Sequence, residues 1–251
     1  MRILVVNPNT TASMTATIGA CAARVTDAEV VAVNPSMGPA SIESHYDEAL
    51  AVPGLLAEIG RGERDGAQGT VVACFGDPGL DAAREIAIGP VVGIAEAAMH
   101  VATLLGRTFA VVTTLSRTIG TAHDLVSRYG FTDRCVAIRA CDIPVLDLEL
   151  PGSDARRVVT ELCREVVERD GADVVVLGCA GMADFCAEVS ATIGVPVVDG
   201  VAAAVKLVES LIALGLTTSR RDEYAPPPAK PYSGPLQPFE RRVGPVPVGS
   251  I

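Results

Sequence analysis

An internal repeat constrains the fold of this chain more than any other feature of its sequence. The segment Val71–Cys74, followed by Ile88–Gly93, recurs as Val175–Cys179, followed by Ile193–Gly200. Each copy then enters an Ala-rich helical stretch that ends in Leu-Gly, at 105–106 and at 214–215. The opening apolar run of residues 3–7 likewise has a counterpart in residues 109–113. The chain is therefore predicted to consist of two similar halves.

Apolar runs bounded by turn residues predict the strands of each half. A continuous run such as Val174–Leu177 is typical of a strand that is covered on both faces, as in a parallel sheet with crossover helices. The predicted strands are Arg2–Val6, Glu29–Val33, Gly69–Cys74, Val91–Ile94, Phe109–Thr113, Arg134–Ala140, Val174–Gly178 and Pro196–Asp199. The fold class is therefore α/β, with two pseudo-symmetric Rossmann-like lobes, each built on a parallel four-stranded sheet.

The repeat also predicts where the lobes begin and end. Residues 1–105, with part of the C-terminal helix, are assigned to the first α/β lobe, and residues 106–215 to the second. Residues 216–251 form a tail that is rich in Pro and Gly from Tyr224 onward. This tail is either a disordered extension or an extended arm packed on the domain or on a neighbouring subunit.

Composition and charge exclude several classes of protein. The net charge of −10, without a Lys/Arg cluster, argues against nucleic-acid binding, because phosphate neutralisation needs a basic face. The apolar run Ile3–Val6 is too short for a signal peptide or a membrane span, so we expect a cytoplasmic protein that does not enter a membrane. The seven cysteines show neither CxxC nor Cys/His ligand spacing, so we expect reduced thiols and no metal site.

Two of the cysteines, Cys74 and Cys179, occupy matching positions of the repeat. Each lies where a predicted core strand ends and precedes a turn of small residues, and the carboxyl ends of strands are where open α/β sheets bind ligands. If the halves face each other across a pseudo-twofold axis, the two sulfur atoms meet across a single cleft. The other cysteines have no matched setting and are predicted to be structural, with Cys186 on the same helix as Cys179 but facing the interior: Cys21, Cys135, Cys141, Cys163 and Cys186.

Two thiols across one cleft suit the inversion of a carbon centre. Racemisation next to a carbonyl needs a base on one face and an acid on the other, and a thiolate and a thiol can serve as this pair if a helix N-terminus lowers a thiol pKa. The carbanion also needs hydrogen-bond donors for its carbonyl oxygen. Candidate donors lie in the turns Phe75-Gly76-Asp77 and Ala180-Gly181-Met182, in Asn7–Thr10 and in Thr113-Thr114. The scheme requires no cofactor.

The three histidines show no metal-ligand spacing. His45 lies in the polar stretch of residues 41–47 and is a candidate for the border of the cleft. His100 and His123 are predicted to lie on helix faces.

Four motifs give the chain a resemblance to the aspartate/glutamate/hydantoin racemase superfamily, and to its hydantoin racemase branch in particular. They are Asn7–Thr10, Gly38–Ser44, Ala73–Leu80 and Leu177–Met182, and the resemblance covers nearly the whole chain. It implies that Cys74 and Cys179 are the catalytic pair, that the substrate lies between two lobes, and that the protein is a homo-oligomer. It further implies substrate contacts from Pro8, Asn9, Ser41, Ile42, Glu43, Phe75, Thr114, Gly178, Ala180 and Gly181.

Several functions remain open at this stage. This chain has both cysteines, unlike the arylmalonate decarboxylases of the superfamily, which keep only one. Its residues Phe75-Gly76 and Ala180-Gly181 form a less polar wall than aspartate and glutamate racemases have. We therefore expect a racemase of 5-substituted hydantoins, with allantoin racemase next and an aspartate/glutamate-type racemase after it. Outside these, two lobes around a cleft could form a non-catalytic small-molecule-binding module, and the thiols could perform redox chemistry, against which the absence of CxxC counts.

Overall fold

The computed structural model contains two parallel sheets of four strands each. The structure describes residues 1–150 and 152–240. The strand order is β2-β1-β3-β4 in the first sheet and β6-β5-β7-β8 in the second. This arrangement confirms the predicted α/β fold with two similar halves.

The first sheet and its helices occupy the N-terminal half. Its strands are β1 (Arg2–Val6), β2 (Glu29–Val33), β3 (Gly69–Val72) and β4 (Val91–Gly93). The helices that connect and follow them are α1 (Ala12–Ala23), α2 (His45–Arg64), α3 (Leu80–Ile86) and α4 (Ile94–Leu105).

The second sheet repeats this plan in the C-terminal half. Its strands are β5 (Phe109–Thr113), β6 (Cys135–Ala140), β7 (Val174–Gly178) and β8 (Val197–Val198). The α-helices are α5 (Ile119–Arg128), α6 (Ala155–Glu168), α7 (Cys186–Ile193) and α8 (Gly200–Ala213), and 3₁₀ helices cover Ser116–Thr118, Val145–Glu149, Ala180–Phe185, Asp222–Tyr224 and Gly234–Phe239.

The strands lie where the apolar runs predict them, with small differences at their ends. Strand β3 ends at Val72, although the N–H of Ala73 still donates to the carbonyl of Val6 at 2.8 Å. Cys74 therefore lies just beyond the sheet. All five residues of β7 are buried, as expected for a strand with helices on both faces.

Two helices are exchanged between the halves. Helix α4 follows β4 of the first sheet but contacts β5, β7 and β8 of the second, whereas α8 follows β8 and contacts β1, β3 and β4 of the first. At Gly69 of β3, a Cβ atom would lie 2.5 Å from Cγ1 of Val208 on α8, so this close approach needs glycine. The predicted bounds of the two lobes, including the boundary at residue 105 and the share of the C-terminal helix, stay predictions.

One buried apolar cluster extends through both halves. It includes Ile3 and Val71 of the first sheet, Phe109 and Val174 of the second, and Val205 of α8. The two halves therefore share a core, and this fixes the two sheets relative to each other. In residues 1–150 and 152–240, none of the helices combines the length and the apolar character that a membrane span requires.

The first part of the predicted tail packs on α3. The hydroxyl of Tyr224 donates to Oδ1 of Asp81 at 3.0 Å, and the guanidinium of Arg220 donates to the carbonyl oxygens of Glu85, at 3.2 Å, and of Ala87. Most side chains beyond Tyr224 are exposed as far as residue 240. Residues 241–251 of the predicted tail lie outside the described residues.

Candidate active site

A cavity of about 180 Å³ lies at the carboxyl ends of strands from both sheets. Loops that leave β1, β3, β5 and β7 all contribute to its walls, as expected for a ligand site in an open α/β fold. Its lining residues are Asn7, Asn9, Met14, Ile42, Glu43, Ser44, His45, Glu48, Ala73, Cys74, Phe75, Gly76, Thr113, Thr114, Arg117, Thr118, Thr121, Ala122, Val145, Gly178, Cys179 and Ala180.

Cys74 and Cys179 both line this cavity, and they reach it from different sheets. Cys74 lies in the loop after β3, whereas Cys179 directly follows β7 and precedes the 3₁₀ helix Ala180–Phe185. Neither forms a disulfide bond, and both are half-buried. They are close enough that the charge on Cys179 influences the ionisation of Cys74. The structure therefore brings the two predicted cysteines together in one site.

The pKa of Cys74 is raised to about 12, chiefly because burial penalises the thiolate. The backbone N–H of Gly76 opposes this by donating to the sulfur, while nearby negative charge from Cys179 and Glu48 adds to the increase. The expectation that a helix N-terminus lowers the thiol pKa is therefore wrong for Cys74. The reason is geometric, since α3 begins only at Leu80 and no helix starts directly after this cysteine.

The turn after β1 supplies two buried asparagines to the first half of the site. The amide nitrogen of Asn7 donates to Oδ1 of Asn9 at 2.9 Å and to the hydroxyl of Thr15 at 3.0 Å. The amide nitrogen of Asn9 donates to the thioether sulfur of Met14 at 3.3 Å. A thioether is a weak acceptor, so the Asn9 amide can exchange this partner for a carbonyl oxygen of a ligand.

The equivalent turn after β5 contributes threonines and an arginine from the second half. The hydroxyl groups of Thr113 and Thr118 lie 3.2 Å apart. Ser116 fixes the 3₁₀ helix Ser116–Thr118 by donating from its N–H, at 2.8 Å, and its hydroxyl, at 2.9 Å, to the carboxylate of Asp142. Arg117 lies on this helix and lines the cavity with an exposed side chain. A guanidinium is thus held at the cavity by a well-anchored turn.

The start of α2 brings acidic side chains to the cavity. Ser44 caps the helix by accepting a hydrogen bond from the N–H of Asp47, which places His45 and Glu48 in the first turn. Nδ1 of His45 lies 3.6 Å from Oε2 of Glu48, and burial raises the pKa of Glu48. Oε1 of Glu43 accepts a hydrogen bond from the N–H of Val145 at 2.8 Å and so joins this wall to the second half.

Most of the predicted substrate contacts are among the lining residues. These are Asn9, Ile42, Glu43, Phe75, Gly76, Thr114, Gly178 and Ala180. Pro8, Ser41, Asp77 and Gly181 are not among the residues that line the cavity in the described part of the chain. Asp77 is buried, and its carboxylate binds the backbone N–H groups of Ala95 and Glu96 instead, so the structure does not support the predicted substrate contact.

Other lining residues belong to none of the motifs found in the sequence. They include Met14, Glu48, Arg117, Thr118, Thr121, Ala122 and Val145. Two of them do lie close to recognised segments, since Glu48 follows residues 41–47 and Arg117 follows Thr113-Thr114. Proximity to a predicted polar turn is therefore the one signal that could have found them.

The remaining cysteines and histidines lie elsewhere. Cys186 is buried, as predicted, but the 3₁₀ helix Ala180–Phe185 separates it from Cys179, so the two do not share a helix. Cys21, Cys135, Cys141 and Cys163 are not among the described residues that line the cavity. His45 lines it, whereas His100 and His123 lie on α4 and α5. Across residues 1–150 and 152–240, no group of three or more His, Cys, Asp or Glu side chains could hold a metal ion.

The chain is similar to known proteins in both sequence and fold. Residues 3–208 match the family model for Asp/Glu/hydantoin racemase. The hydantoin racemase of Rhizobium meliloti is 48% identical over 93% of this chain and 98% of its own length, and that of Pseudomonas sp. (strain NS671) is 46% identical over 96% and 98%. The solved structure of allantoin racemase from Klebsiella pneumoniae is 50% identical, with a TM-score of 0.94 over 96% of this chain and 99% of its own.

Proposed function

The chain belongs to the Asp/Glu/hydantoin racemase family, and from this premise we propose that it racemises 5-substituted hydantoins by proton transfer between the substrate and two cysteines. The observation that carries the proposal is the placement of Cys74 and Cys179. They come from matching positions of the two halves, line the same cavity and form no disulfide bond.

The reaction is a proton exchange at the ring carbon that bears the side chain. The thiolate of one cysteine removes the proton from that carbon, and the electron pair of the broken C–H bond moves into the neighbouring carbonyl group. The thiol of the other cysteine then delivers its proton to the opposite face. The two cysteines finish with their protonation states exchanged, so the reverse reaction uses the same pair in opposite roles.

The raised pKa of Cys74 assigns the starting roles. A thiol with a pKa of about 12 is protonated near neutral pH, so Cys74 is the proton donor when substrate first binds. We propose Cys179 as the base in that first turnover. Substrate of the other configuration requires the opposite state, in which Cys74 has already given up its proton.

The enolate oxygen of the intermediate needs hydrogen-bond donors. The amide nitrogen of Asn9 is well suited because its present acceptor is only the sulfur of Met14. Gly76 and Ala180 also line the cavity beside the two cysteines; the N–H of Gly76 already donates to the sulfur of Cys74, so we propose the N–H of Ala180 as the second donor. These groups would stabilise negative charge on the carbonyl oxygen without any contribution from a cofactor.

Allantoin is the second candidate substrate, and a specific feature favours it. Allantoin carries a ureido group on the ring carbon, and this group needs polar partners. Arg117 and Glu48 both line the cavity and can bind the ureido carbonyl and N–H groups, respectively. The 50% identity to a solved allantoin racemase points the same way.

A small substrate panel tests the proposed function. Optically pure 5-alkyl and 5-benzyl hydantoins, allantoin, aspartate and glutamate would be followed by polarimetry without added cofactor. We expect loss of optical rotation with a hydantoin or allantoin, and no racemisation by Cys74→Ser or Cys179→Ser. Racemisation of the open-chain amino acids alone would contradict the substrate assignment, and normal turnover by either variant would contradict the mechanism.

The cellular location and the assembly are proposals of a different kind. We propose a cytoplasmic protein, because two reduced catalytic cysteines suit a reducing compartment, and a homo-oligomer, because the resemblance to the family implies one. Light scattering coupled to size-exclusion chromatography measures the assembly, and a mass equal to that of one chain would contradict it.

A further inference from the structure

Asp77 is a buried carboxylate in the turn that carries Cys74. The N–H of Asp77 donates to the carbonyl oxygen of Cys74 at 3.0 Å, and only 3% of the residue is exposed. Its φ angle is +43°, a left-handed conformation that costs energy for residues other than glycine. This turn therefore needs stabilising contacts, and the carboxylate of Asp77 makes them.

The carboxylate joins the Cys74 turn to helices beyond the first sheet. Oδ1 accepts from the N–H of Ala95 at 3.1 Å, and Oδ2 accepts from the N–H of Glu96 at 2.9 Å and from the hydroxyl of Tyr129 at 2.6 Å. Ala95 and Glu96 open α4, which packs on the second sheet, and Tyr129 directly follows α5 of the second half. Three hydrogen bonds thus fix the Cys74 turn to α4, which packs on the second sheet, and to Tyr129 of the second half.

The second half caps α8, the helix equivalent to α4, with a side chain at the N-cap itself. Helix α8 has Asp199 at its N-cap, and this side chain accepts from the N–H groups of Val201 and Ala202 at 2.8 and 3.2 Å. Helix α4 has Gly93 at the same position, with no side chain to offer. A local cap is therefore sufficient in this fold, and the first half replaces it with a carboxylate from the Cys74 turn.

Gly93 is also required by the position of Asp77. A Cβ atom at Gly93 would lie 2.3 Å from Cγ and from Oδ1 of Asp77. The backbone of Gly93 has φ −84° and ψ 150°, which any residue can adopt, so the reason for glycine is this contact alone. The two residues fit each other as a pair.

We propose that Asp77 is a positioning residue, which holds the turn of Cys74 so that this thiol faces the stereocentre across from Cys179. The inference rests on the proposed two-cysteine reaction. It assigns Asp77 no contact with substrate. Its effect is confined to the face of the substrate that Cys74 serves, whereas a carboxylate that only stabilised the fold would affect both faces equally.

The test measures each face separately through single-cysteine variants. In Cys179→Ala, exchange of the substrate C–H for solvent deuterium reports on Cys74 alone, and in Cys74→Ala it reports on Cys179 alone. Adding Asp77→Ala should slow exchange by roughly 10- to 100-fold in the first background, because a misplacement of about 1 Å costs that much. It should change exchange less than about twofold in the second. Equal losses in both backgrounds would overturn the proposal.

A transplanted cap separates positioning from stability. The double variant Asp77→Ala/Gly93→Asp gives α4 a local cap like that of α8, and Asp77→Ala removes the atoms that a side chain at Gly93 would strike. We expect the melting temperature to recover while exchange by Cys74 stays low. Recovery of both would show that Asp77 is only a helix cap, which would overturn the proposal.

Tyr129→Phe is the alternative variant for the exchange measurement if Asp77→Ala does not fold. This variant removes one hydrogen bond to Oδ2 and leaves those from Ala95 and Glu96. Exchange by Cys74 should fall about fivefold, because the loss of one ordinary hydrogen bond changes a rate by about that factor. An unchanged rate in the Cys179→Ala background would count against the link between the halves.

A chemical readout keeps this inference distinct from the proposed reaction. In ligand-free enzyme, alkylation by iodoacetamide at each cysteine is measured by mass spectrometry of the peptides. The transplanted variant should alkylate Cys74 at least about tenfold faster relative to Cys179, because a released turn exposes the sulfur. Normal racemisation by Cys74→Ala would contradict the two-cysteine reaction. In that case the alkylation ratio alone would test whether Asp77 holds the Cys74 turn. An unchanged ratio would overturn the proposal.

Discussion

The ionisation of Cys74 gives the most quantitative prediction, and pH is the perturbation that tests it. Burial raises the pKa of this thiol from an ordinary value of 9.0 to about 12. Each pH unit is a tenfold change in the thiolate fraction, so ligand-free enzyme near neutral pH should hold about 1,000-fold less thiolate at Cys74 than an unperturbed cysteine would. Since the thiolate is the reactive form, alkylation follows this fraction.

Alkylation by iodoacetamide, resolved by peptide and measured across about pH 7 to 11, provides the assay. We expect the rate at Cys74 to rise tenfold for each pH unit without levelling off below about pH 11, while the same peptide in denatured protein levels off near its ordinary pKa of 9.0. The pH of the plateau is the decisive quantity, because accessibility scales the absolute rate but does not move the plateau. Circular dichroism at each pH verifies that the protein remains folded.

A plateau for Cys74 below about pH 8 in folded enzyme would refute this reasoning. It would show that the N–H of Gly76, or another donor, outweighs the burial of the thiolate. Cys74 would then be the base in the first turnover, and the starting roles of the two cysteines would be reversed.

Three further predictions concern packing, specificity and the tail. Phe109→Ala should destabilise the fold by about 3–5 kcal/mol in chemical denaturation, because Phe109 is fully buried in the cluster shared by both halves; a loss below about 1 kcal/mol would contradict that core. Arg117→Leu should reduce kcat/KM for allantoin at least about tenfold and change it little for 5-benzylhydantoin, since the guanidinium is proposed to bind the ureido carbonyl; equal losses would remove that role. Tyr224→Phe should speed proteolysis of the tail and cost no more than about 1.5 kcal/mol, because it removes only the hydrogen bond to Asp81; an unchanged cleavage rate would show that this bond does not hold the tail.

The strand positions and their division into two equivalent halves could be predicted because the sequence signals for them are local. Buried parallel strands are continuous apolar runs, and Val174–Gly178 is one whose bounds the structure reproduces. The repeat then paired β1 with β5 and β3 with β7, and these pairs hold the same places in the two sheets.

The exchange of α4 and α8 could not be predicted in the same way. Both helices are apolar on several faces, so their sequences do not specify which sheet they cover. The small residue Gly69 marks where α8 approaches β3, but a glycine in a strand has several possible explanations.

The part of the candidate site that lies near the ends of strands could be predicted from the sequence. Cys74 and Cys179 lie within two residues of the ends of β3 and β7, so each is at the carboxyl edge of its own sheet. Glu48 and Arg117 reach the cavity from a helix start and a 3₁₀ helix, whose orientation depends on tertiary packing. The proposed role of Asp77 depends on its contact with α4, whose N-cap residue is a glycine, and the sequence does not show this contact. The raised pKa of Cys74 depends on burial, which is a property of the folded chain.

The claim that two cysteines act on opposite faces of one carbon is tested most directly by racemisation in heavy water. One pure enantiomer of a substrate from the panel is incubated with wild-type enzyme, and both enantiomers are separated and analysed by mass spectrometry at low conversion, with a sample lacking enzyme as the blank. The account predicts that the newly formed enantiomer carries one solvent deuterium at the ring carbon while the remaining starting enantiomer still carries protium. Product that retains the original protium, or equal labelling of both enantiomers from the first time point, would contradict it.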